Sequence, residues 1–281
     1  MRYTYLLAAI LISYTSCKNK QENTLFTEVE NSNIKFTNTL IESDNFNVFK
    51  YRNFYNGGGV AAGDLNNDGL VDLFFTANQT ANKLYINKGN FQFEDISQQA
   101  GFDPNKKQWS TGVVFVDINA DGWLDIYVCN AGNMEDANLR KNQLFINNHN
   151  NTFSENAAAY GLDDDGYTTH ASFFDYDLDG DLDCFIVNNS PIPVNTLNYA
   201  NVRDQPAAEA KVADFLKGGG DHLFRNDNGK FKEVTYQSGI HGSLIGFGLG
   251  VTIGDINEDG YPDVYVSNDF FERDYLYINQ H

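Results

Sequence analysis

Positive charge is what this chain has least of. Lys and Arg number 19 against 38 Asp and Glu, a formal net charge of −19. Nucleic-acid binding requires a basic surface, so that class is excluded. Cysteine is nearly absent. Cys17, Cys129 and Cys184 are the full set, and with five scattered histidines they form no zinc-type cluster. Proline occurs five times. Three of these, Pro191, Pro193 and Pro206, fall in one stretch and keep it from being a strand. Long apolar runs are missing too: Leu6–Ile12 is too short to cross a bilayer.

The abundant acids are concentrated in four loops of one design, D-x-[DN]-x-D-G-x-x-D. They run Asp64–Asp72, Asp117–Asp125, Asp175–Asp183 and Asp255–Asp263, and together hold 15 of the 38 acids. Side-chain oxygens at loop positions 1, 3, 5 and 9 can converge on one point. The glycine at position 6 permits the sharp turn, and the carbonyl at position 7 can add a ligand. All donors are hard oxygens, which suits Ca²⁺. The expected ligands are Asp64, Asn66, Asp68, Leu70 and Asp72 in the first loop, and Asp117, Asn119, Asp121, Trp123 and Asp125 in the second. In the third they are Asp175, Asp177, Asp179, Asp181 and Asp183; in the fourth, Asp255, Asn257, Asp259, Tyr261 and Asp263. One Ca²⁺ per loop, four in all, is expected, with position 9 giving two oxygens. The last acid falls at position 9, not 12, and the flanks are not helical, so these are not EF-hands. Apolar runs rich in β-branched and aromatic residues precede and follow each loop, as in Val113–Val116 and Ile126–Val128. Each loop therefore joins two strands.

Two further motifs recur. One is Asn82–Asn87, Asn142–Asn147, Asp221–Asn226 and Asp274–Asn279; the other begins at Phe93, Phe153 and Phe231 and ends near a glycine. Each unit thus has four strands, with first aspartates 53, 58 and 80 residues apart. Repeats of roughly 40–50 residues with four strands are propeller blades. The fold class expected is an all-β propeller with four repeats present, an incomplete ring, and a short helical insertion in the third repeat. That insertion spans about 189–220, with a helix over Ala207–Lys217 serving as a packing cap or a lid. Phe26–Val29 match the fourth-strand motif and are expected to complete another blade, the arrangement that ring closure by strand exchange needs.

Residues 1–17 read as an export signal with a short basic start. Its end, Tyr14-Thr15-Ser16-Cys17, resembles the lipobox of bacterial lipoproteins, though Tyr14 stands where leucine is usual. The resemblance implies lipidation of Cys17, a tether over residues 18–24, and anchorage at the outer membrane or cell surface. Cys129 and Cys184 lie in neighbouring buried strands and read as small core residues. Aligning the loops, Gly59, Gly112, His170 and Gly250 stand five residues before each first aspartate, and Asn56, Trp109, Tyr167 and Phe247 stand eight before. His170 either faces the central channel or bonds a neighbouring blade. The three aromatics either ring the channel mouth, where they could stack on sugars, or pack between blades.

The tandem loops with their Leu-Tyr-Ile-Asn partners resemble FG-GAP/VCBS repeats, which form the calcium-bearing propeller of integrin α-subunits. They are closer still to bacterial relatives of cartilage acidic protein, which pair such repeats with an ASPIC/UnbV domain. The resemblance covers residues 25–281 and implies a propeller with Ca²⁺ in its hairpins that binds an extracellular glycan or protein ligand. It supplies no catalytic residues. A lyase-like polysaccharide-degrading propeller and a purely structural scaffold are the alternatives.

Overall fold

The computed structural model describes residues 24–132, 135–191, 205–269 and 272–281. Cys17, most of the tether and residues 192–204 of the insertion lie outside them. The chain divides into two units, Met1–Glu30 and Asn31–His281. In the first, residues 24–30 contain no strand and Phe26 is exposed. Phe26–Val29, expected to complete a blade whose other strands come from the C-terminal side, pair with no strand among the described residues.

The second unit is all-β and propeller-like. Blade 1 comprises β1 (Val60–Gly63), β2 (Asp72–Phe75), β3 (Lys83–Asn87) and β4 (Phe93–Asp95). Blade 2 comprises β5 (Trp109–Val116), β6 (Asp125–Ala131), β7 (Gln143–Asn147) and β8 (Phe153–Glu155). Blade 3 comprises β9 (Thr168–Phe174), β10 (Asp183–Asn188), β11 (His222–Asn226) and β12 (Phe231–Glu233). Blade 4 has three strands, β13 (Gly248–Gly254), β14 (Asp263–Asn268) and β15 (Tyr275–Tyr277). Within each blade the strands pair antiparallel in chain order.

Alternation along the second strands holds the blades together, because successive side chains leave a strand on opposite faces. In β6, Ile126 and Val128 pack with Phe74, Leu84 and Ile86 of blade 1. Tyr127 and Cys129 pack the other way, with Cys184 and Ile186 of blade 3. In β10, Phe185 and Val187 turn from blade 2 to Val264 and Val266 of blade 4. β6 and β10 are each buried on both faces. The two cysteines are unpaired and share one apolar cluster. The row of blades is not closed: among the described residues no strand pairing joins blade 4 to blade 1.

Residues 31–41 run over the face of blade 1 that turns away from blade 2. Phe36 stacks on Phe75 with ring centroids 4.9 Å apart. Asn38 and Asn78 exchange two hydrogen bonds, and Tyr85 Oη accepts from the Lys35 N–H at 3.2 Å. The chain then folds over the ends of the inner strands. Tyr51 and Phe54, in and beside a 3-10 turn over Arg52–Tyr55, are fully buried against Trp109, Ala131 and Tyr167.

The insertion differs from expectation. Residues 207–217 form two 3-10 turns, Ala207–Glu209 and Asp214–Leu216, not an α-helix; the backbone is extended at Pro206, Ala210 and Ala213. Ala207 and Ala210 pack with Leu244 and Ile245, and Val212 and Leu216 lie against that cluster. Burying those four side chains together decides the conformation over helix propensity, which is a weak preference. Among the described residues the one α-helix is a single turn, Ala157–Tyr160, ended by Gly161 at φ 84°.

His222 of blade 3 reaches back to Asp164, in the segment that leads out of blade 2, with Nδ1 and Oδ1 2.7 Å apart. Burial alone would lower the imidazole, but the Asp164 carboxylate overrides it and raises His222 to about 9. Asp164, although burial pushes it up, is held below its ordinary value by His222. A raised imidazole contributes stability that is complete below its ordinary value of 6.5 and lost as pH climbs through about 9. The depressed carboxylate contributes above 3.8, and that part is lost on acidification. Burial pushes neighbouring Asp221 up to about 7, which adds a fall with rising pH that wild type and variant share. The stability gap between wild type and His222→Gln, measured by urea unfolding, should be widest near pH 6 and narrow at alkaline pH. A gap that stays constant would contradict this pairing.

Candidate metal centres and the axial cavity

Each acidic loop is a hairpin between the first and second strands, closed by the pairs Gly63↔Asp72, Val116↔Asp125, Phe174↔Asp183 and Gly254↔Asp263. The backbone turns twice through the left-handed region. Position 4 does so with Asn67, Ala120, Leu178 and Glu258 at φ 55–64°, and position 6 with glycines at φ 85–99°. Space is not the reason for glycine, since a Cβ on Gly69 or Gly122 would meet nothing; the positive φ is.

The first aspartate holds the turn. Asp117 Oδ1 accepts from the Asp121 N–H at 3.0 Å, and Oδ2 accepts from the Gly122 N–H at 2.9 Å. Asp64, Asp175 and Asp255 do the same in their loops. The ninth position is different in kind. Asp72, Asp125, Asp183 and Asp263 are fully buried. One oxygen of each accepts from the N–H of loop position 2, and the other from the N–H of the asparagine that ends the third strand. In the second loop these bonds are Ile118 at 3.2 Å and Asn147 at 2.8 Å. Both oxygens of position 9, expected to serve a metal, thus each already carry one backbone bond. Each oxygen keeps a free lone pair for a cation. Burial pushes Asp125 up to about 6 and Asp183 up to about 7, against the pull of those N–H donors, with the other loop acids adding to the rise.

The third-strand asparagine was not singled out from sequence, although its recurrence as Asn87, Asn147, Asn226 and Asn279 was visible. Its side-chain amide donates to the position 8 carbonyl of its own loop: Val71, Leu124, Leu182 and Pro262. Asn147 and Asn279 also reach the preceding blade's loop, at the Leu65 and Tyr176 carbonyls, both at 2.8 Å.

The loops are not equal in charge. In the first, second and fourth, position 3 is asparagine, and its amide donates to the position 5 carboxylate at 2.8–3.0 Å. An internal donor there offsets part of the charge. Histidines two residues beyond the clamp asparagine add to this. His149 Nε2 lies 3.0 Å from Asp121 Oδ2, and its ring stacks on Trp123 at 4.7 Å. His281 lies 3.8 Å from Asp259, beyond hydrogen-bond distance, and meets the Tyr261 ring edge-on with centroids 4.1 Å apart. The third loop has aspartate at positions 1, 3, 5, 7 and 9. Oxygens of Asp175, Asp177 and Asp183 lie within 4.8 Å of one another, and Asp181 Oδ1 is buried without a partner. Burial and like charge raise both Asp177 and Asp181. This donor set fits a hard divalent cation. Among the described residues it is the one loop whose carboxylates come together in this way.

Trp109 and Tyr167 are buried against Tyr51 and Phe54, and Phe247 is buried as well. Arg52 Cζ lies 5.4 Å from the Phe247 ring centroid, and Arg140 Cζ lies 4.6 Å from that of Tyr167. The three aromatics are therefore not open to a ligand: Tyr51 and Phe54 cover Trp109 and Tyr167, and Arg52 lies over Phe247. His170 lies below, in a cavity of about 570 Å³ lined by the starts of the four inner strands together with Tyr51, Asn53, Asn56 and Asn189. Burial lowers the His170 imidazole. The glycines aligned with it let inner strands touch: the Gly59 N–H donates to the Thr111 carbonyl at 2.7 Å, and a Cβ on Gly112 would collide with the Thr169 carbonyl.

Residues 64–128 and 212–266 match the FG-GAP-like repeat family, which takes in the first, second and fourth loops. Cartilage acidic protein 1 of Xenopus tropicalis is 39% identical over 75 residues, which is 26% of this chain. The match spans 11% of that relative's length. The chain thus carries FG-GAP-like repeats on a propeller-like fold.

The ninth-position clamp makes a prediction independent of any metal. In chelator, Asp125→Ala leaves the Ile118 and Asn147 N–H groups unpaired in a buried site, at about 1–3 kcal/mol each. Asp117→Ala leaves N–H groups that water can reach and should cost well under half as much. Urea unfolding of both variants checks the order; equal losses would remove the distinction.

Proposed function

We propose that this chain is a calcium-binding, envelope-anchored propeller-type module that binds a glycan or protein ligand. The observation that carries the calcium reading is the third loop, where five aspartates and one unpartnered buried oxygen share a nine-residue turn. Crowded carboxylates repel unless a cation compensates. The other three loops repeat its backbone with fewer charges, so Ca²⁺ affinity should rank the third loop first. Asp175, Asp177, Asp179 and Asp183, with the Asp181 carbonyl, would hold the ion, which would supply electrostatic bracing of the hairpin. The anchor reading rests on the export-type segment that ends at Cys17. Binding is favoured over a lyase acting on acidic sugars because no Lys or Arg is among the residues lining the axial cavity.

Binding to the folded state alone stabilises by about 2.7 kcal/mol per site at a hundredfold excess over the dissociation constant. Calcium should therefore raise the melting temperature and EDTA lower it. Asp177→Asn, which gives the third loop the pattern of the others, should weaken the tightest site about tenfold by calorimetry. An EDTA-insensitive melt together with no calcium by elemental analysis would overturn the metal reading. Separately, labelled palmitate should be incorporated by wild type and not by Cys17→Ser; label that persists in the variant would overturn the anchor.

A further inference from the structure

We propose that Asn56 is a site of spontaneous covalent modification: in the folded protein its side-chain amide is converted to a carboxylate through a cyclic imide formed with Gly57. The sequence has seven steps in which asparagine or aspartate precedes glycine. They are Asn56-Gly57, Asn228-Gly229, Asp68-Gly69, Asp121-Gly122, Asp165-Gly166, Asp179-Gly180 and Asp259-Gly260. Glycine carries no Cβ to obstruct ring closure, in which its nitrogen attacks the preceding side-chain carbonyl. The fold disarms six of the seven. The four loop glycines, Gly69, Gly122, Gly180 and Gly260, donate their N–H to the first aspartate of the loop at 2.7–3.0 Å. Gly166 donates to Asp164 Oδ2 at 3.2 Å, and Gly229 to Asn226 Oδ1 at 2.6 Å. An N–H held in this way is not free to turn to the side chain before it. Beside a carboxylate it also gives up its proton less readily.

Gly57 is the exception. Its N–H has no hydrogen-bond partner among the described residues. It sits at φ 81°, and a Cβ there would meet nothing within 4 Å. Asn56 is exposed. Its side-chain bond, Nδ2 to Asn53 Oδ1 at 3.1 Å, engages only the group that departs. The Gly57 nitrogen loses its proton and bonds to Asn56 Cγ; the Cγ–Nδ2 bond breaks, and ammonia leaves with that proton. Water then opens the ring. Attack at Cγ gives aspartate on an ordinary backbone. Attack at the Asn56 main-chain carbonyl leaves the chain running through the side chain, as isoaspartate. Either product adds one negative charge. Asn56 lines the axial cavity, where no Lys, Arg, Asp or Glu is among the lining residues. The modification thus places a carboxylate on a lining that has none. Isoaspartate also lengthens the backbone just before Gly59, whose N–H is tied to the Thr111 carbonyl of blade 2 at 2.7 Å.

The test holds the full chain with calcium at mildly alkaline pH and follows both Asn-Gly peptides by mass spectrometry, in water enriched in oxygen-18. Asn56 should convert to a mixture of aspartate and isoaspartate, each taking up one solvent oxygen. Asn228, whose following N–H is engaged, should convert at least about tenfold more slowly, the effect of one hydrogen bond on the barrier. In urea, where neither site keeps its fold, the two rates should converge, since both steps are Asn-Gly. An Asn56 that stays intact in the folded protein overturns the proposal, and so do equal native rates at the two sites. Aspartate without isoaspartate would mean direct hydrolysis and overturn the imide route. A gap of the same size in urea would assign the difference to neighbouring residues and overturn the role given to the Gly57 N–H.

Discussion

A carboxylate buried at the ninth position of each loop has both oxygens tied to backbone N–H groups from two separate parts of its blade. One bond comes from the start of its own loop, the other from the end of the third strand. Burying a charge costs several kcal/mol unless donors or a counter-ion compensate. The two N–H groups compensate in part and are in turn satisfied. Because the second donor belongs to the clamp asparagine, the same joint positions the amide that in blades 2 and 4 crosses to the preceding loop. Loop geometry, strand register and blade-to-blade spacing thus share one electrostatic node, and a cation in the loop would reinforce a frame that the backbone already holds.

The blades were legible in the sequence because they rest on short-range periodicity. The nine-residue loop, the alternation in Ile126–Val128 and the recurring asparagine all report local geometry. The elements misread are those decided by burial against distant chain. Residues 207–217 hold good helix formers, yet their apolar side chains meet Leu244 and Ile245 only on an extended, twice-turned path. Trp109, Tyr167 and Phe247 were correctly aligned as equivalent positions, but alignment says nothing about what covers them. Their cover, Tyr51 and Phe54 over the first two and Arg52 over Phe247, comes from a stretch with no repeat signal.

That stretch does two things at once. Its aromatics close the mouth that three blades shape, and its asparagines roof the space below. At the sides the inner strands meet through glycine at Gly59 and Gly112, which leaves His170 as the bulky side chain among the four aligned positions. Interiors normally satisfy their amides. Here the tightest part of the packing and the least satisfied polar groups sit side by side.

Residues 31–41 give the two ends of the blade row different characters. At blade 1, Phe75 and Tyr85 lie beneath a polypeptide strap. At blade 4, Tyr265 and Leu276 stand 38% and 50% exposed on an unstrapped sheet. A sheet from elsewhere could pack on that face of blade 1 only by displacing residues 31–41, so Phe75 and Tyr85 are shielded by backbone that belongs to no sheet.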